Sequence, residues 1–205
     1  MRLLVAFLVL AAPAAAQGPG LASRVDAATL RAVQPALDAA ARDSLPTAAL
    51  ESKVLEGVAK RVRPELIGTV VRDLAEEFRA ARAMLRDGLP GRPIVDGEVV
   101  AAALAARQGV APEVLRALLA SNPGEGSMEI PVTVLTELVR RGVPVDEASS
   151  VMAHVVRSAV PMQIAAQIPG RVDGAVGAGS PPGAALGQAL RTLNIPAPPG
   201  RRPNE

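Results

Sequence analysis

From Asp26 to about Gln167, apolar residues recur with the period of a helix, and no stretch alternates like a strand. The clearest case starts at Pro64. Ile67, Val70, Val71, Leu74, Phe78, Ala81 and Leu85 form one stripe with a repeat of about 3.6 residues. Arg72, Glu76, Arg79, Arg82 and Arg86 take the other faces, with Arg72–Glu76 and Glu76–Arg79 at pairing distance. Pro64 suits the first helical position and Gly88 the stop.

Shorter helices follow the same logic. The pattern predicts one over 26–43, which Pro35 should kink or split, and one over 47–60. Asp96 is placed to cap a helix ending near Gln108. Pro112 opens the next, which ends before Asn122; Pro131 opens one ending at Gly142; another runs from about Asp146 to before Pro161. Gly57 and Gly68 interrupt two of these helices at a cost of about 1 kcal/mol each. A close crossing in which the two glycines face each other would explain them.

Three connections share one plan: Arg61-Val62-Arg63-Pro64-Glu65, Gly109-Val110-Ala111-Pro112-Glu113 and Gly142-Val143-Pro144-Val145-Asp146. Gly takes the left-handed cap, and Arg61 has to manage without it. Val plugs the hairpin end, and an acid meets the positive end of the next helix. Each unit reads as an αα-hairpin. Uneven spacing leaves two readings open, a degenerate helical repeat or chance reuse of a good connector.

Residues 169–205 change character to Gly, Pro and Ala, which predicts a disordered tail. Within it, 184–193 carries Leu186, Leu190 and Leu193 at helical spacing. Such a short helix should fold only against a surface, supplied by a partner or by the helical domain itself. Gly177-x-Gly179 lacks both the third glycine and the preceding strand of a dinucleotide fingerprint.

The chain's start reads as an export signal. Residues 1–16, MRLLVAFLVLAAPAAA, hold a basic Arg2, an apolar run from Leu3 to Ala12 and a small-x-small site at Ala14 and Ala16. The run is too short to span a bilayer, which takes about 20 residues. Residues 17–25 then form a short leader and 26–168 the helical domain. No later stretch is long and apolar enough to span, so a periplasmic or secreted product is expected.

Composition narrows the chemistry. The 205 residues include no Cys, no Trp, no Tyr, one His and two Phe. Disulfides, thiolate nucleophiles, multi-His metal sites and aromatic platforms for bases or sugars are therefore excluded, and no cofactor is expected. The pI of about 9.9 reflects the scarcity of groups titrating between His154 and the arginines; net charge is only +2 and its signs alternate along helices. No basic stripe for nucleic acid exists. Glu147, Ser150 and His154 share a helix face, but one face cannot wrap a nucleophile–imidazole–acid relay around a substrate. The acidic pairs Glu76-Glu77 and Asp146-Glu147 point apart and read as a solvated face and a helix cap.

The sequence thus predicts an all-α protein of seven or eight short helices in antiparallel hairpins with a disordered C-terminal tail. Its Arg- and Ala-rich make-up resembles that of exported helical envelope proteins of high-GC bacteria, without a motif specific to one family. The expected function is that of a non-enzymatic interaction or scaffold protein, binding a protein or peptide in the envelope, with Leu186, Leu190 and Leu193 as a possible docking stripe. An enzyme with an unidentified site and a carrier of an apolar ligand between helices are the alternatives. The export reading predicts that N-terminal sequencing of the envelope form finds Gln17 first. Recovery of an intact Met1 would overturn it.

Overall fold

The structure, a computed structural model, describes residues 20–196 and Pro198, other than 123, 125 and 159. The expected signal and the first three residues of the leader fall outside this range, as do residues 197 and 199–205 of the expected tail. A 3₁₀ turn at Leu21–Ser23 precedes α1 (Ala27–Arg42), α2 (Thr47–Ala59), α3 (Pro64–Gly88), α4 (Asp96–Arg107), α5 (Pro112–Ala120), α6 (Glu129–Arg140), α7 (Val145–Arg157), α8 (Met162–Ala165, a single turn), α9 (Ile168–Gly177) and α10 (Pro182–Thr192). The fold is all-α, with no strand among the described residues.

Six of the seven left-handed residues described sit at helix ends: Ser44 (φ 55°), Arg61 (56°), Gly109 (83°), Gly142 (81°), Gly179 (93°) and Asn194 (53°). In each case the next residue's N–H reaches back to the helix: Leu45 to Ala40 (2.8 Å), Val62 to Gly57 (3.0 Å), Val110 to Ala105 (3.0 Å), Val143 to Leu138 (3.1 Å), Ser180 to Ala175 (3.0 Å) and Ile195 to Leu190 (2.9 Å). These are Schellman closures. A proline follows within three residues every time, as Pro46, Pro64, Pro112, Pro144, Pro181 and Pro196. The connector expected at three positions is therefore used at six. Arg61 adopts the left-handed conformation despite its side chain. Leu45, Val110, Val143 and Ile195 bury the apolar plug, whereas Val62 stays exposed, against expectation.

Helices α1, α2 and α3 form two successive hairpins, so α1 and α3 run parallel and in contact. Asp43 pairs with Arg79 (2.5 Å), and Arg82 donates to the carbonyl of Ser44, fixing the α1–α2 turn on α3. Asp26 caps α1 through the N–H groups of Ala28 and Thr29 (both 2.9 Å). α1 crosses Pro35 without splitting. Pro35 and Arg31 are both exposed, so the carbonyl freed by the missing N–H faces water.

Beyond α3 the chain stacks hairpins. α4, α6 and α9 pack side by side in one row, and α5 packs on α7 in a second. α10 folds back on α9. Its start meets α7, where the Glu147 carboxylate lies 2.7 Å from the position a Gly183 Cβ would take. α4 and α6 interlock alike, with the Glu129 carboxylate over Gly97. Each glycine opens the first turn of a helix to a carboxylate from its neighbour, next to the positive end of the dipole. Arg141 ties the α9–α10 hairpin to α6, its Nε and Nη2 donating to both oxygens of Asp173 (2.7 and 2.8 Å).

Two smaller expectations shift. Asp96 is the first helical residue of α4 rather than its cap, and α6 begins two residues before Pro131. A larger one is corrected. Residues 169–196, expected to be disordered apart from 184–193, form α9, α10 and their connectors, and the domain does not end at 168. Ile168, Val172, Ala185, Leu186, Ala189, Leu190 and Ile195 are all buried in the same core as the earlier helices. Few large side chains are needed here, because the buried Ala185 and Ala189 let α10 lie close against its neighbours, and Pro and Gly fix the helix ends.

Gly57 and Gly68 do mark close approaches, but not to each other. A Cβ on Gly57 would meet the Ile67 side chain at 2.8 Å, whereas one on buried Gly68 would meet the Ala32 carbonyl oxygen at 2.7 Å. A side chain can turn aside; a helix backbone cannot. Gly68→Ala is therefore expected to lower stability by about 1–3 kcal/mol, despite the better helix former. Gly57→Ala should cost less. Urea denaturation of both variants checks this, and an ordering with Gly57→Ala the more damaging would refute the assignment.

Candidate functional site

The sequence singled out no catalytic side chain, and those with polar potential are dispersed. His154 is half-buried, with Nε2 3.4 Å from the Ser158 hydroxyl. Ser150 is exposed, and Glu147 lies beside Gly183. Glu76 pairs with Arg79 (2.5 Å), and Glu77 lies 3.3 Å from the Arg107 Nε. Among the described residues, no group of three or more His, Asp or Glu side chains could hold a metal ion. In the expected docking stripe, Leu186 and Leu190 are buried and Leu193 is half-buried in the chain's own core. They face the chain's own helical core.

The polar centre that sequence reasoning missed is Glu98, 1% exposed in the first turn of α4. It accepts from the Val95 N–H (3.2 Å) just ahead of the helix, from Arg92 through Nη1 (3.3 Å) and more closely through Nη2, and from the Met128 N–H (2.7 Å). Three segments meet on one carboxylate: the α3–α4 connection, α4 and the α5–α6 connection. A Glu three residues after the residue that precedes a helix is legible as a capping position. Its bond to a backbone group 30 residues away is not. Burial pushes the Glu98 carboxyl up, but Arg92 and the two backbone N–H groups outweigh that and leave it below the usual range.

Above this carboxylate the α5–α6 connection borders a cleft of about 540 Å³. Met128, Ile130, Pro131, Val156 and Met162 supply apolar walls, and Asn122, Gly124, Gly126, Ser127 and Glu129 the polar lining. Asn122 braces the rim, donating to the Gly126 carbonyl (3.1 Å) and accepting from the Gly124 N–H (3.3 Å). A second cavity, of about 350 Å³, shares Asn122 and Gly124 with the first and is bounded by Gly88–Arg92, Leu119 and Ala120. The Nε of Arg92 is buried without a hydrogen-bond partner.

Compared with known proteins, the chain matches no family model, no curated protein and no solved structure. The site therefore has to be read from its own chemistry. Apolar walls with two adaptable methionines, and a rim of amide, hydroxyl and backbone groups, suit a short segment that buries apolar side chains.

Glu98 anchors the floor, so its charge should govern stability. Glu98→Gln keeps the shape but leaves Arg92 buried without its counter-charge, which is expected to cost about 3–5 kcal/mol at pH 7. Because folding lowers the carboxyl's pKa, its contribution is full above about pH 4.3 and fades as pH falls through the lower, folded value. The gap between wild type and variant should then narrow below about pH 4. Urea midpoints at pH 7 and pH 3.5 measure it; a gap that is absent at pH 7, or constant with pH, contradicts the role.

Proposed function

We propose that the chain is a non-enzymatic scaffold protein, exported to the bacterial cell envelope, whose cleft receives a short apolar segment of a protein partner. The cleft walled by Met128, Ile130, Pro131, Val156 and Met162 carries this reading: its walls are apolar, its rim offers backbone and amide groups, and the Met128 N–H beneath it is held by Glu98 of a buried ion pair. Stacked helical hairpins present surfaces of this kind to peptides. The expected export signal places the partner outside the cytoplasm.

A second reading, carriage of an apolar ligand, draws on a different feature. A slot of about 290 Å³ lies between α3, α4 and α5, walled mainly by Ala80, Ala81, Met84, Ala102, Ala103 and Leu115. It is smaller than the cleft and lined largely by alanines, which offer little to distinguish one ligand from another.

A photoreactive residue at Ile130, introduced into the chain in its native envelope, is expected to give one discrete protein adduct, while the same probe at exposed Glu51 on α2 gives none. Equal labelling from both sites, or a lipid adduct from Ala103 in place of a protein adduct from Ile130, would overturn the scaffold reading.

A further inference from the structure

One face of α3 has neighbouring helices along half its length only. Leu66, Val70, Asp73, Glu77, Ala80 and Met84 follow one another at helical spacing on that face, with Val62 just before the helix in line with them. From Glu77 onward, Ala102, Ala103 and Ala106 of α4 and Leu115 of α5 face it across the slot between these helices. α4 ends at Arg107, beside Glu77. Ahead of that point the face is bare: Val62, Leu66 and Val70 are 37%, 47% and 39% exposed, and they are half of the six large apolar side chains found most exposed among the described residues. Val70 was expected in the buried stripe and lies at its uncovered edge.

The charges around this bare stretch have opposite signs at its two ends. Arg61 and Arg63 stand exposed at the start and Asp73 at the other end, and none of the three is in an ion pair in the described chain. Leu66 and Val70 are equidistant from the level of Gly68, and so are Arg63 and Asp73. A second α3 laid antiparallel across the first at that level therefore sets Leu66 beside the other copy's Val70 twice, and Arg63 level with its Asp73 twice. That is the self-complementarity an isologous interface requires.

We propose that two copies of this chain form a twofold dimer through Val62, Leu66 and Val70 of α3, with Arg63 and Asp73 as the reciprocal flanking pairs. The contact is small and uses neither the cleft nor the stacked hairpins, so the dimer is weak and sensitive to salt. Sedimentation velocity on the exported chain tests it. A dimer should be populated at roughly 100 μM. Leu66→Glu should weaken it about tenfold or more, while Leu104→Glu, at an equally exposed leucine on α4, leaves it unchanged. Arg63→Asp and Asp73→Arg should each weaken the dimer, and the double swap should restore it. All of these positions are exposed, and unchanged helicity in each variant verifies folding. A chain that stays monomeric at that concentration, a Leu66→Glu dimer as tight as wild type, or a double swap that fails to recover association would each overturn the proposal. Association only with a different envelope protein would appear as the first of these outcomes.

Discussion

A single left-handed residue, closed by the next residue's N–H and followed by proline, sets the length of most helices in this protein. The closure satisfies two terminal carbonyls, and the proline bars the helix from continuing. Where the residue between them is apolar it also packs inward, except at Val62. Leu45, Val110, Val143 and Ile195 are each buried, so stopping the helix and docking the hairpin are one event. Glycine makes the left-handed turn without penalty at 109, 142 and 179; Ser44, Arg61 and Asn194 adopt it with a side chain, at a cost of about 1–2 kcal/mol for most residue types. At Ser44 and Asn194 a buried plug offsets that cost. At Arg61 the plug, Val62, remains in solvent, and the bare face of α3 begins there.

The carboxylates serve the same stacking. Glu129 and Glu147 each lie over a glycine in the first turn of a neighbouring helix, Asp173 binds Arg141 across two helices, and Glu98 joins three segments. A Gly followed by more helix thus marks a contact as often as a weakness. Gly97 and Gly183 admit a carboxylate, and Gly68 admits a backbone. Sequence alone cannot separate these uses, since all three appear as glycines near or within helical runs.

What was legible followed from local chemistry. Pro64 and Gly88 bound the longest helix as read, and six of the seven residues in its stripe are buried. The connector was recognised where Gly or Arg precedes Val, and missed where Ser44, Gly179 or Asn194 precedes Leu45, Ser180 or Ile195, because the shared element is backbone conformation and not residue type. The hairpin α9–α10 was mistaken for disorder because composition measures side-chain volume, whereas a pair of helices with small residues gains from close approach. Yet the Leu186 and Leu190 stripe had already marked where that hairpin meets the core. Glu98 lay furthest from reach. Its capping position is visible in sequence, but the Met128 N–H and the Arg92 guanidinium arrive through loops whose paths no periodicity encodes.

This gap matters because the cleft depends on those loops. Regular helices supply the walls at Ile130, Pro131, Val156 and Met162, but the rim comes from the α5–α6 connection, braced by Asn122 and pinned at Met128. A helical array built on repeated connectors needs an irregular segment wherever it departs from simple stacking, and irregular backbone must find partners for its polar groups. Here the partner is a buried carboxylate, itself costly unless matched by Arg92 and two N–H groups. The ion pair and the loop are thus mutually dependent. The loop supplies a hydrogen bond that keeps Glu98 charged in the interior, and the charged carboxylate fixes the loop that shapes the cleft. A segment seated in the cleft would rest on the loop that Glu98 fixes, so binding there and the stability of the α4–α6 row draw on the same interaction.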